Sequence, residues 1–172
     1  MNEKASLSDV LKYRDKKDAI QKEMASEYKG TVIVSFSMNV PGQIKTNEYI
    51  YDVFIHSDKF IEAMFRDMEI YVYKKREIRD VAGYCAIYSI SGTTAQKLKR
   101  DMVNIEETHP LGRLFDIDVL DQGIGISRIE IGKSPRKCLI CNDDAKICSR
   151  SGTHKIDALT TKVEMMIKDY LD

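Results

Sequence analysis

The heptapeptide Leu114-Phe115-Asp116-Ile117-Asp118-Val119-Leu120 constrains this chain more than any other stretch. Phe115, Ile117 and Val119 recur at every second position, with Asp116 and Asp118 between them. Alternation of this kind reads as a half-buried strand. Side chains two apart on a strand project to the same side, about 6.6 Å apart along the backbone. One face of this strand must therefore meet an apolar core, and the other presents two carboxylates together. Such a pair can converge on a divalent cation, and magnesium is usually held by one or two carboxylates plus substrate phosphates. The plain alternative is a sheet edge whose polar face meets water. The flanks argue for more: Gly112 lets the backbone pass close to a ligand, and Arg113 offers a planar donor fork for phosphate.

The rest of the chain supplies what such a strand needs to pack against. Residues 6–28 have helical spacing, with Ser6 or Ser8 as N-cap and a charged middle, Tyr13 to Asp18, that reads as a solvated face. Thr31 to Met38 is β-branched and short, a strand. Pro41-Gly42 marks a turn, and Lys45 on the loop leaving that strand is placed to meet a phosphate. Asn47 to Met68 is amphipathic and helical, interrupted at His56-Ser57-Asp58, so it reads as one helix or two. Glu69 to Arg76 and Val81 to Ser89 are strands joined around Arg79-Asp80, and Cys85 reads as a small buried apolar group. A helix from Ala95 to about Glu107 delivers the chain to His109-Pro110 and the acidic strand. After a turn at Asp121-Gln122-Gly123, Gly125 to Gly132 is expected to return as a strand. In that pairing Glu130 would share the face of Asp116 and Asp118 and serve as a third carboxylate. Residues 133–154 read as a loop, and Ile156 to about Leu171 as a closing helix.

These elements predict an α+β fold, a single domain over residues 1–172, with about five strands in a mixed or mostly antiparallel sheet flanked by four or five helices. No apolar stretch is long enough for a signal peptide or a membrane span, so a cytoplasmic protein is expected. Lys plus Arg number 27 and Asp plus Glu 27. A balance of that kind gives no long-range field for nucleic acid, so any anion site must be a local cluster.

Three of the four cysteines crowd into the run Cys138-x2-Cys141-x6-Cys148, followed by His154. These are the ligand types of a Cys3His zinc site, which would be structural because four protein ligands leave no open position. Two other readings stay open. The cysteines can pack as small apolar groups within a basic substrate loop, or the CxxC pair can be redox-active.

His-Pro-Leu-Gly-Arg-Leu-Phe-Asp-Ile-Asp-Val-Leu (109–120), Ile-Ser-Arg (126–128) and the Arg-Lys-Cys-Leu-Ile-Cys block running to His154 occur in that order. Together they resemble the citrate lyase holo-acyl-carrier-protein synthase family, also called apo-citrate lyase phosphoribosyl-dephospho-CoA transferase. Arg14-Asp15 and the Val-Ser-Phe…Pro-Gly-Gln-Ile-Lys segment (34–45) extend the resemblance to the N-terminal half. The resemblance implies a donor, 2′-(5″-triphosphoribosyl)-3′-dephospho-CoA, and an acceptor, a serine of the apo acyl-carrier (gamma) subunit of citrate lyase. A phosphodiester would form and pyrophosphate would leave, a nucleotidyltransferase-type reaction with no nucleic acid and no membrane involved.

In that reading Asp116 and Asp118 hold Mg²⁺ and Arg113 meets the triphosphate. Arg14, Lys45, Arg128 and Arg136 are further phosphate contacts, with Gly112 at the turn. Asp118 or Glu130 takes the serine proton, and His109 shapes the turn before the strand. No Gly-Ser turn lies about ten residues before Asp116, so a nucleotidyltransferase-like fold of the polymerase-β type is expected by analogy only. Three alternatives remain: the equivalent synthase of malonate decarboxylase, a non-enzymatic, zinc-stabilised binding module, and a nuclease or other Mg²⁺ phosphodiesterase, against which the neutral charge balance counts.

Overall fold

A computed structural model describes residues 3–171. Five antiparallel strands form one open sheet in the order β2-β3-β1-β4-β5. The strands are β1 (Val32–Met38), β2 (Tyr71–Asp80), β3 (Gly83–Ser91), β4 (Phe115–Asp121) and β5 (Ile124–Gly125). Five helices accompany them: α1 (Leu7–Glu27), α2 (Glu48–Asp67), α3 (Ala95–Thr108), α4 (Ala145–Ser151) and α5 (Ile156–Leu171). The architecture is α+β, as the sequence predicts. No helix among the described residues is long and apolar enough to cross a membrane.

The alternating strands divide the molecule into two layers. Val32, Val34 and Phe36 of β1 and Phe115, Ile117 and Val119 of β4 face the main core, filled by α2, α3 and α5. Phe36 stacks on Phe54 of α2 at 5.4 Å between centroids and meets the edge of Phe115 at 5.2 Å. On the other face, Ile33, Ile78, Cys85, Ile87 and Leu120 form a smaller core under Ile20 and Met24 of α1. That smaller core covers only part of its face. The remainder carries Ser35, Ser37, Asp116 and Asp118.

One open reading is resolved and two expectations need correction. First, α2 is one continuous helix. Its polar Ser57 and Asp58 are buried on the inward stripe, where Asp58 accepts hydrogen bonds from Tyr88 and Lys75. Asp58, so satisfied, does not break the helix, while Ser57 Oγ is buried without a partner among the described residues. Second, residues 125–132 are not a strand. Only Ile124 and Gly125 pair with β4, and Ile129–Ile131 is a 3₁₀ turn. Ser127 and Glu130 cap each other reciprocally, the Ser127 N–H donating to the Glu130 carboxylate at 2.7 Å and the Glu130 N–H to Ser127 Oγ at 3.3 Å. That Ser-x-x-Glu box starts a helical turn and outcompetes strand pairing. Third, the first helix is not solvated throughout its charged middle. Tyr13 and Lys17 turn inward.

With β5 so short, most of the outer edge of β4 has no strand beside it. Side chains close it instead. Glu106 Oε1 accepts the Ile117 N–H at 3.0 Å, and Lys99 Nζ donates to the Ile117 carbonyl at 2.7 Å. Arg136 donates to the Phe115 carbonyl, and the Ile126 N–H donates to the Val119 carbonyl at 2.8 Å. An open edge invites pairing with another chain, and here each of these backbone groups has a partner.

Candidate active site

The acidic face is built by register. In the β1–β4 ladder, Ser37 lies opposite Asp116 and Ser35 opposite Asp118. In the β1–β3 ladder, the same serines lie opposite Cys85 and Ile87. Small side chains on the central strand leave room above the carboxylates. Helix α1 crosses this face and starts from a capping box between Ser6 and Asp9. The Ala5 N–H donates to the Gln43 carbonyl at 2.9 Å, which ties the helix start to the Pro41-Gly42 loop.

Tyr13, Lys17, Ile20 and Met24 follow one another at spacings of four, three and four, one stripe of a helix. From that stripe Lys17 Nζ reaches Asp118 Oδ2 at 2.8 Å. Beside it Gln21 Nε2 donates to Ser35 Oγ at 2.8 Å, and the Tyr13 hydroxyl donates to the Tyr84 carbonyl at 3.2 Å. Lys17 is the residue that sequence reasoning missed. The signal was present: a lysine occupies an inward position between Tyr13 and Ile20.

The electrostatics follow from this packing. Burial works against the Lys17 ammonium, but the Asp118 and Asp116 charges outweigh it and raise its pKa. Asp116 is open to solvent yet surrounded by protein, and that partial dehydration, with the Asp118 charge next, raises its pKa above the ordinary carboxylate value. Lys17 and Arg136 act in the opposite direction on it. Burial pushes the Cys85 thiol up to about 12, so it is an inert neighbour.

The other expected residues fall elsewhere. Glu130 is exposed on the 3₁₀ turn and caps Ser127. Among the described residues it does not join Asp116 and Asp118 as a converging ligand group. Gly112 serves packing: a Cβ there would lie 2.4 Å from the Ile105 carbonyl oxygen and 2.7 Å from that of Glu106, both backbone of α3. Arg128 pairs with Glu106 and Glu107 and locks the segment after β5 to α3. Arg136 pairs with Glu106 at 3.0 Å in addition to its bond to Phe115. Arg113 Nη2 donates to the carbonyls of Lys137 and Cys138 at 2.6 and 2.5 Å. Lys45 Nζ donates to the Val40 carbonyl at 2.5 Å, and burial first, then the nearby Arg14 charge, lowers its pKa. His109 does shape the turn: its Nδ1 accepts the Leu111 N–H at 3.1 Å, and its ring packs against Phe60 and Phe115.

The cysteine lobe closes around one point. Ligand atoms of Cys138, Cys141, Cys148 and His154 all lie within 4.8 Å of one another. Cys141 Sγ is 3.5 Å from Cys148 Sγ and 3.3 Å from His154 Nε2. A tetrahedral zinc with bonds near 2.3 Å would separate sulfurs by about 3.8 Å, so the cluster has the dimensions of a metal site. Helix α4, capped by Asp144, carries Cys148 to the group. Burial pushes the Cys138 thiol up, but the amide N–H groups of Cys141 and Ile140 outweigh it and bring it down to about 7. All four cysteines are free thiols. Between this lobe and the Pro41-Gly42 loop lies a cavity of about 400 Å³.

A family model described as apo-citrate lyase phosphoribosyl-dephospho-CoA transferase matches residues 5–170. A Streptococcus pyogenes protein named probable apo-citrate lyase phosphoribosyl-dephospho-CoA transferase is 33% identical over 174 residues, covering 99% of this chain and 89% of that protein. A Vibrio cholerae protein of the same name is 37% identical over 139 residues, covering 80% of this chain and 78% of the relative. Protein CitXG of Leuconostoc mesenteroides subsp. cremoris is 32% identical over 170 residues, which span 98% of this chain and 36% of that longer protein.

Proposed function

Because the chain belongs to the apo-citrate lyase phosphoribosyl-dephospho-CoA transferase family, we propose that it attaches the phosphoribosyl-dephospho-CoA group to a serine of the apo acyl-carrier subunit of citrate lyase. The donor is the 2′-(5″-triphosphoribosyl) form of 3′-dephospho-CoA, and the chemistry is of the nucleotidyltransferase type. The serine Oγ attacks the α-phosphorus, a new P–O bond forms, the α–β anhydride bond breaks, and pyrophosphate departs with the electron pair. The relatives' names favour this reading over the malonate decarboxylase synthase and over a non-enzymatic module. The free thiols suit a reducing cytoplasm.

The observation that carries the reading is the acidic face itself: two carboxylates on one side of β4, with Lys17 against one of them. In-line phosphoryl transfer asks the protein for positioning and charge stabilisation more than for covalent help. Asp116 and Asp118 fit a magnesium site of the two-carboxylate kind, since they share one face of β4 and the Asp118 charge raises the Asp116 pKa, a repulsion that a cation would relieve. Bound there with the donor phosphates, the ion would neutralise charge on the phosphates and on the departing pyrophosphate. Lys17 holds Asp118 in place and adds a second positive charge to the face. Asp116, open to solvent and raised in pKa, is the carboxylate we assign to receive the serine proton in place of Glu130. A carboxylate has two oxygens, so ligation through one leaves the other as an acceptor. Zinc in the cysteine lobe would be structural, with all four positions taken by protein.

The test is a transfer assay read by intact-protein mass spectrometry. The purified chain, apo carrier subunit, triphosphoribosyl donor and Mg²⁺ are expected to give a mass gain on the carrier serine, lost with EDTA and in Asp118→Ala. No gain from a folded protein would overturn the proposed activity.

A further inference from the structure

We propose that the cavity of about 400 Å³ between the Pro41-Gly42 loop and the cysteine lobe is a polyphosphate site, which receives the terminal two phosphates of the donor and so the pyrophosphate leaving group. The proposal rests on the transferase reading and adds the place where the leaving group sits. Lys45, Arg113, Arg136 and Lys137 line this cavity, and among the described residues no carboxylate does. In a chain whose charges balance overall, four cations around one small space are a local concentration that an anion can use.

The cations are also pre-organised. Arg113 and Arg136 are each fixed by hydrogen bonds from Nη2 to backbone carbonyls. The Nε and Nη1 groups of each guanidinium are left to point donors elsewhere, in a rigid fork that matches phosphate oxygens. Arg136 keeps Glu106 as a partner at 3.0 Å, which holds its plane without filling the cavity. Lys45 is dehydrated and feels the Arg14 charge, so a bound anion would relieve a repulsion already present.

The position of the cavity matches the chemistry. The Asn39 N–H donates to the Leu114 carbonyl at 2.7 Å, which brings the Pro41-Gly42 loop to the start of β4. Arg136 binds the carbonyl of Phe115, the residue next to Asp116, and its charge reaches the Asp116 carboxylate. Arg136, which lines the cavity, thus connects it to the strand residue beside Asp116. A triphosphate laid across that junction would have its outer phosphates in the cavity and its α-phosphorus toward the carboxylates.

The experiment is isothermal titration calorimetry of the full chain with inorganic pyrophosphate, at low salt and in EDTA, with orthophosphate as comparator. Pyrophosphate is expected to bind with one site per chain and more tightly than orthophosphate. Lys45→Met with Lys137→Met should weaken it at least tenfold. Lys137→Met alone, at an exposed position, should weaken it several-fold without a change in thermal unfolding, which guards against a folding defect at Lys45. Asp118→Asn should retain binding. No pyrophosphate binding, or parent-like binding by both lysine variants, would overturn the site even if transfer is intact. Pyrophosphate binding without any transfer would leave the anion site standing and remove the transferase reading beneath it.

Discussion

Lys17→Met tests the acidic face most directly. Lys17 Nζ sits 2.8 Å from Asp118 Oδ2, with side-chain exposures of 14% and 48%. At that separation two unit charges attract by roughly 6 kcal/mol at an effective dielectric of about 20, and by roughly 1.5 kcal/mol in bulk water. Asp118 is half open to solvent, so the screened end of that range governs, and the dehydration of Lys17 offsets part of what remains. We expect a coupling of about 1–2 kcal/mol in a double-mutant cycle of Lys17→Met and Asp118→Asn, read from urea unfolding at neutral pH. The pKa of Lys17 is raised in the folded chain. Its contribution is therefore fully present below the ordinary lysine value of 10.5 and is lost as the pH climbs through the raised value. It should be flat across the neutral range. Transfer activity of the folded Lys17→Met variant should fall on the order of a hundredfold, about 2.7 kcal/mol of transition-state stabilisation. A parent-like transfer rate in that variant would refute the assignment of Lys17 to the site.

Glu106→Ala removes the acceptor of the Ile117 N–H and strands Arg128 and Arg136. It should cost about 3–5 kcal/mol, as breaking buried pairs does, and lower the urea midpoint by roughly 2 M for an m-value near 2 kcal/mol/M. Glu106→Gln keeps an acceptor and should cost less, and an unchanged midpoint in Glu106→Ala would show that the edge of β4 does not depend on it. The Asp116 carboxyl, followed by carbon-13 NMR, should titrate above the ordinary 3.8. Its midpoint should move down in Asp118→Asn and up in Lys17→Met. Because that pKa is raised, ionised Asp116 costs stability above its folded value, and the cost disappears as the pH falls below it. The purified chain should carry one zinc per molecule, released by thiol modification with a chelator, and Cys141→Ser should lose the metal and unfold at lower temperature. A folded, metal-free chain with reactive thiols at Cys138, Cys141 and Cys148 would count against the metal site.

What could be read in the sequence was what has a short period. Phe115, Ile117 and Val119 faced the core as their alternation requires, and Asp116 and Asp118 shared the other face. Cys138, Cys141, Cys148 and His154 converged because the CxxC turn and helix α4 are local structures. What could not be read depended on partners distant in the chain. Lys17 looked like one charge among several until α1 was laid over β4, although its place between Tyr13 and Ile20 on one stripe was visible. Glu130 was lost to a local rule that was also visible, the Ser127-x-x-Glu130 box, which competes directly with a strand. Gly112 signalled a close approach correctly, but the sequence does not say whether a ligand or the Ile105 carbonyl comes near.

Arg128 and Arg136 have a structural duty that the sequence does not display. A strand whose edge lacks a neighbour needs counter-charges and donors, and α3 supplies Glu106 for them to meet. This arrangement bears on the cysteine lobe, if it holds the proposed metal. Arg113 lies one residue before Leu114 and holds the carbonyls of Lys137 and Cys138, while Arg136, two residues before Cys138, holds the carbonyl of Phe115. Two guanidiniums therefore cross between the acidic strand and the cysteine lobe in opposite directions. Loss of metal would loosen residues 136–154 first, and both crossings would slacken at the start of β4, beside Asp116. Substitutions at the cysteines should for that reason lower transfer through misplacement of the acidic face, with no contact between any sulfur and the reacting phosphate.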